Sequence, residues 1–103
     1  MKNNVNVEGV YTHNMKEPFE YEGKVYDEIK FDFNKLTGED YIAIEDEMAS
    51  LNKILVIPEF STSFLVRMAA KASGVATEVL NALPLNEFAK IRGAAKNFLS
   101  SME

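Results

Sequence analysis

His13 is the only histidine in this 103-residue chain, and there is no cysteine. Together these facts remove most side-chain chemistry. A serine–histidine relay or a histidine-based metal site needs partners fixed around the ring by core elements. His13 instead stands in a polar N-terminal arm and reads as a solvent-exposed side chain. Without cysteine, disulfides, thiol catalysis and cysteine metal sites drop out. Glu45-Asp46-Glu47 offers carboxylates for acid–base work or for a hard cation. Consecutive helical residues point about 100° apart, however, so the three do not converge on one ion. They read as a solvated helix face. Gly38 and Gly74 stand alone, without a phosphate-loop pattern, and fit helix ends better. The expectation is a non-enzymatic protein with no catalytic residue, no cofactor and no metal.

The elements that carry these residues amount to about one domain. A hydrophobic share of 47% and a charged share of 26% give the balance of a soluble globular chain. No apolar run approaches the roughly 20 residues of a membrane span, so no membrane partner is expected. Met1-Lys2-Asn3-Asn4 opens into polar sequence without an apolar signal core, which points to the cytoplasm. Charge is uneven. Residues 1–52 hold twelve acids against five bases, a net −7, and residues 53–103 hold six bases against four acids, a net +2. The acidic half argues against nucleic acid as a partner. The asymmetry suits either an ordinary solvated surface or head-to-tail self-association between unlike patches.

Residues 1–16 form a flexible or partner-dependent arm, and residues 17–103 form one small α+β domain. An N-terminal β-hairpin, or small sheet, packs against three to four short helices. Phe19 and Tyr21 alternate with Glu20 and Glu22, and the turn follows at Tyr21-Glu22-Gly23-Lys24. Val25, Ile29, Phe31 and Phe33 mark the second strand. A two-residue loop would pair Tyr21 with Lys24. A three-residue loop would pair Tyr21 with Val25 and keep odd residues on one face, which agrees better with the pattern. Thr37 and Asp40 make a capping box for a helix from Gly38 to about Asn52, with Tyr41, Ile44, Met48 and Leu51 as its stripe. Ile54 to Ile57 is either a buried strand or an extended connection. A second helix runs from Ser61 or Thr62 to Ser73, with Phe64, Leu65, Met68, Ala69 and Ala72 inward and Gly74 as its stop. Thr77 caps a short helix. The last helix runs from about Leu85 to Ser101 on Leu85, Phe88, Ile91, Ala95, Phe98, Leu99 and Met102, and Gly93 within it fits a close helix crossing.

Aromatic residues crowd the first third of the chain, and one hairpin cannot hide rings on both faces. They either pack on the helices or form an interface. Phe19, Tyr21, Tyr26 and Phe31 are the candidate self-association surface, which would make the protein a homo-oligomer. Met48 and Met68 lie on helix stripes. Core packing accounts for them most simply, but with Phe64, Phe88 and Phe98 they are also the candidate partner groove.

The hairpin and the helix after it carry a pattern G-K-x-Y-x-E-I-x-F … L-T-G-x-D, here Gly23, Lys24, Tyr26, Glu28, Ile29 and Phe31, then Leu36, Thr37, Gly38 and Asp40. Leu83, Phe88 and Phe98-Leu99 follow in the last helix. Over roughly residues 17–102 this resembles the tail assembly chaperones of long-tailed bacteriophages. The chain departs from them at Pro84, where relatives often carry a capping Ser or Thr, and residues 1–16 have no counterpart. The resemblance implies a phage or prophage protein of the host bacterial cytoplasm. Such proteins bind the tape measure protein, keep it soluble and leave when the tail tube forms. A tape measure protein exposes apolar helical surface, so its chaperone needs a reversible apolar groove. The net −7 first half supports a different reading, a small acidic inhibitor or DNA mimic that occupies a nucleic-acid-binding protein.

Overall fold

The structure, a computed structural model, describes residues 9–55 and 57–101. It has the expected α+β architecture: an antiparallel hairpin, β1 (Val10–Tyr21) and β2 (Lys24–Asp32), followed by α1 (Gly38–Ser50), α2 (Thr62–Ser73), α3 (Thr77–Asn81) and α4 (Leu85–Ser100). Single 3₁₀ turns at Phe33–Lys35 and Pro58–Phe60 lead into α1 and α2.

The hairpin starts earlier than expected. Residues 10–16, assigned above to a loose arm, are part of β1 and pair with β2 from Val10↔Asp32 to Asn14↔Glu28. Residues 1–8 of that arm lie outside the described residues. The turn is also tighter. Tyr21 faces Lys24 across a two-residue loop, and Glu22 (φ 51°) and Gly23 (φ 84°) both take the positive φ that a type I′ turn requires. A three-residue loop would keep odd residues inward by itself. The strands solve that problem elsewhere. Between Asn14↔Glu28 and Phe19↔Tyr26, β1 bulges through residues 15–18 while β2 passes only Asp27. Pro18, which has no N–H for the ladder, sits in this bulge. The bulge switches the inward side of β2 from Ile29 and Phe31 to Tyr26, and it leaves Val25 59% exposed.

Helix α1 follows its sequence signals closely. Thr37 N–H donates to Asp40 Oδ2 at 2.8 Å, and Asp40 N–H donates back to Thr37 Oγ1 at 3.4 Å. Ile44 and Met48 are buried, but Leu51, just past the helix end, is half exposed. Helix α2 is capped by Ser61 Oγ, which accepts from Phe64 N–H at 3.2 Å, and ends on Gly74 at φ 79°. In α3 the cap is the backbone of Ala76. Thr77 is the first helical residue and not the cap assigned to it. The segment after α1 is not a buried strand in its described part, because Ile54 and Ile57 lie on the surface, although Leu55 packs on the core.

Helix α2 is the centre of the fold and packs against α1, α3, α4 and β2. Phe64, Leu65, Met68, Ala69 and Ala72 of α2 meet Ile29, Phe31 and Phe33 from the hairpin side, Ile44 and Met48 of α1, and Ile91 and Ala95 of α4. Each fully buried large side chain contributes about 1.5–3 kcal/mol by leaving water. A run of rings ties the sheet to α4: Tyr11 on Phe31, Phe31 on Phe33 and Phe33 on Phe98, with centroids 5.9, 6.2 and 5.4 Å apart. The α4 stripe is narrower than expected. Leu85 is 78% exposed and Glu87 takes an inward place. Among the described residues Gly93 serves no close crossing, since a Cβ added there would meet none of them within 4 Å. Met102 lies outside the described residues.

Candidate functional site

A groove of about 430 Å³ opens where the start of α1, the end of α4 and the 3₁₀ turn after β2 converge on α2. Its apolar lining is Phe33, Leu36, Tyr41, Ile44, Met68, Phe98 and Leu99, and Asn34, Thr37, Gly38 and Asp40 add the polar groups. The capping box fixes the polar edge. Asp40 is held below the usual carboxylate range, first by the Thr37 backbone N–H and then by its side chain, with Lys71 and Lys35 adding. Lys71 Nζ stands 3.9 Å from Asp40 Oδ1. Tyr41 tilts over the buried Phe64 at a centroid distance of 4.9 Å. Burial raises the Tyr41 phenol, and the Glu45 charge raises it further. An apolar groove with a short polar edge can accept apolar side chains from a helix or an extended segment.

The residues assigned from sequence to a partner groove line this one only in part. Met68 and Phe98 do line it. Met48 and Phe64 pack in the core and are not among the lining residues. Phe88 packs on the core and is not among the lining residues. Leu36, Tyr41, Ile44 and Leu99 were missed as groove residues, although Tyr41 and Ile44 already stood on the α1 stripe. The convergence of three elements separated in sequence carried no local signal.

The hairpin aromatics turn inward more than a self-association surface requires. Phe31 is wholly buried and is removed from that set. Phe19, Tyr21 and Tyr26 are half-buried. Phe19 stacks on Tyr21 at 6.4 Å, Phe19 and Tyr26 pack against the core, and Lys24 Nζ lies 5.3 Å from the centre of the Tyr26 ring.

His13 is the largest correction. It is 2% exposed, not solvent-facing, and its Nε2 lies 2.7 Å from Glu87 Oε1. Its Nδ1 lies 2.8 Å from the Tyr11 hydroxyl. The Nε2–H tautomer satisfies all three side chains at once, with Tyr11 O–H donating to Nδ1. Lys16 N–H, freed by the bulge, donates to Glu87 Oε2 at 2.9 Å. That bond holds the Glu87 carboxyl below its usual range against the opposing effect of burial, and the His13 bond adds to it. Burial raises the Tyr11 phenol, and the Glu87 charge raises it further. The network therefore keeps a protonated phenol at one end and a doubly bonded carboxylate at the other. It ties β1 to the first turn of α4.

Among the described residues, no group of three or more His, Asp or Glu side chains could hold a metal ion, and no helix is long and apolar enough to cross a membrane. Comparison with protein-family models, with curated proteins and with solved structures finds no match to this chain.

Proposed function

We propose that the chain is a non-enzymatic tail assembly chaperone of a phage or prophage, working as a homo-oligomer in the host bacterial cytoplasm. Its groove binds an apolar helical segment of the tape measure protein. The observation that carries this reading is the groove itself, where Leu36, Tyr41, Phe98 and Leu99 surround an opening large enough for several apolar side chains. The resemblance stated above supplies the partner, and the groove meets its main physical demand. Apolar contacts edged by a few polar groups allow binding that later release can reverse.

Co-expression with a phage tape measure protein tests the reading. A soluble complex is expected, and Leu36→Asp should abolish it. The acidic-mimic reading draws on Glu39, Glu45 and Asp46, which face outward from α1 or its first turn. Salt-sensitive competition with DNA for a nucleic-acid-binding protein, with no effect of Leu36→Asp, would favour it.

A further inference from the structure

Tyr21, Glu22, Lys24 and Tyr26 at the tip of the hairpin, with Glu78 and Val79 at the start of α3, line a crevice of about 360 Å³. It shares no lining residue with the groove described above. The strand register explains its makeup. Tyr21 faces Lys24 and Phe19 faces Tyr26 across the ladder, and side chains two residues apart share a face. The hairpin tip therefore turns two phenol rings and one ammonium to the same side. Glu22 takes φ 51°, a conformation that Asn or Gly adopts more readily in a type I′ turn. The turn itself does not call for glutamate, yet this glutamate lines the crevice. Glu78, exposed in the first turn of α3, supplies a second carboxylate.

Aromatic faces and carboxylates together attract a cation. The chain itself puts one there, because Lys24 Nζ lies 5.3 Å from the centre of the Tyr26 ring. Among the described residues, no ion pair joins Glu22 or Glu78 to any base. The lining thus carries two unpaired acids against one base, which favours a further cation over an anion. We propose that the crevice binds the guanidinium of an arginine side chain on a partner protein, which displaces Lys24 from the Tyr26 ring. A guanidinium is planar, so it can stack on a phenol ring and still turn N–H groups towards carboxylates. The chain's own two arginines are engaged elsewhere, Arg67 with Glu47 and Arg92 with Thr62. Lys24 acts as an internal stand-in that a better-fitting cation replaces. The site does not depend on the chaperone reading.

NMR of the full chain, titrated with N-acetyl-arginine amide, tests this. The ring signals of Tyr21 and Tyr26 should shift and saturate. N-acetyl-citrulline amide, which has a similar shape without the charge, should leave them in place. Lys24→Ala removes the competing ammonium and should tighten binding several-fold. Tyr26→Leu should abolish it, but Tyr26 also packs against the core. Glu78→Gln changes an exposed side chain, so it is the cleaner probe. It should keep the wild-type circular dichroism and melting temperature, yet weaken binding several-fold. Ring signals that stay in place in both the wild-type chain and Lys24→Ala overturn the proposal. So does equal binding of the arginine and citrulline compounds, or binding that Glu78→Gln leaves unchanged. Free arginine that binds more tightly than the blocked form overturns the assignment to a protein partner.

Discussion

His13 Nε2 reaches Glu87 Oε1 at 2.7 Å across 74 positions of sequence, and it joins the first half of β1 to the first turn of α4. The β1 bulge brings Lys16 N–H to the second carboxylate oxygen. One bulge therefore both reverses the inward face of the hairpin and completes a buried polar network.

The network makes stability depend on acid. The Glu87 carboxyl is held below its ordinary 4.5 in the folded protein. A depressed carboxyl contributes stability that is fully present above the unfolded value and is lost as pH falls through the lower folded value. The Glu87 contribution to thermal stability should therefore be complete above the unfolded carboxyl value and fall as pH drops below it. Glu87→Gln should lower the melting temperature at neutral pH and flatten that acid decline. A decline of equal steepness in Glu87→Gln would show that other carboxylates cause it.

Rings at the sheet–α4 junction should differ in their effects. Phe33 is 2% exposed and Phe98 only half-buried. Phe33→Ala should cost about 3–5 kcal/mol in urea denaturation. Phe98→Ala leaves a groove wall open to solvent and should cost less, about 1–3 kcal/mol. Equal losses would mean that Phe98 is a core residue and that the groove is closed.

Glycines should respond in opposite directions. Gly74 ends α2 at φ 79°, so Gly74→Ala should cost about 1–2 kcal/mol. Gly93 is helical and meets no described residue that would oppose a Cβ, so Gly93→Ala should gain up to about 1 kcal/mol. Denaturant midpoints of the two variants check both signs.

The α1 start gives a local test. Thr37→Ala removes the hydroxyl that caps Asp40 N–H and should cost about 1 kcal/mol. No change in the urea midpoint would mean that packing and the remaining Thr37 N–H to Asp40 bond hold the start of α1 without the hydroxyl.

The parts of the fold legible in sequence are those written locally. The capping box at Thr37 and Asp40, the stripe from Phe64 to Ala72 and the stop at Gly74 each lie within a few residues and are found in place. What failed needed contacts distant in sequence. His13 reads as exposed until Glu87 arrives from the other end of the chain. The odd-residue pattern of β2 misleads because the compensating bulge lies in β1. Leu85 fits the α4 stripe, yet the inward place in its first turn goes to Glu87, which the buried histidine binds. Of the groove, only Met68 and Phe98 were visible from sequence, because a groove between three elements belongs to none of them.

Capture of the tape measure protein is the most direct test of the central claim. The wild-type chain and Leu36→Asp, checked to have the same circular dichroism, should each be co-expressed with that protein and passed over a sizing column. The account expects a soluble complex with the wild-type chain and insoluble tape measure protein with Leu36→Asp. Tape measure protein that stays insoluble with the wild-type chain, or equally soluble with both, would contradict it.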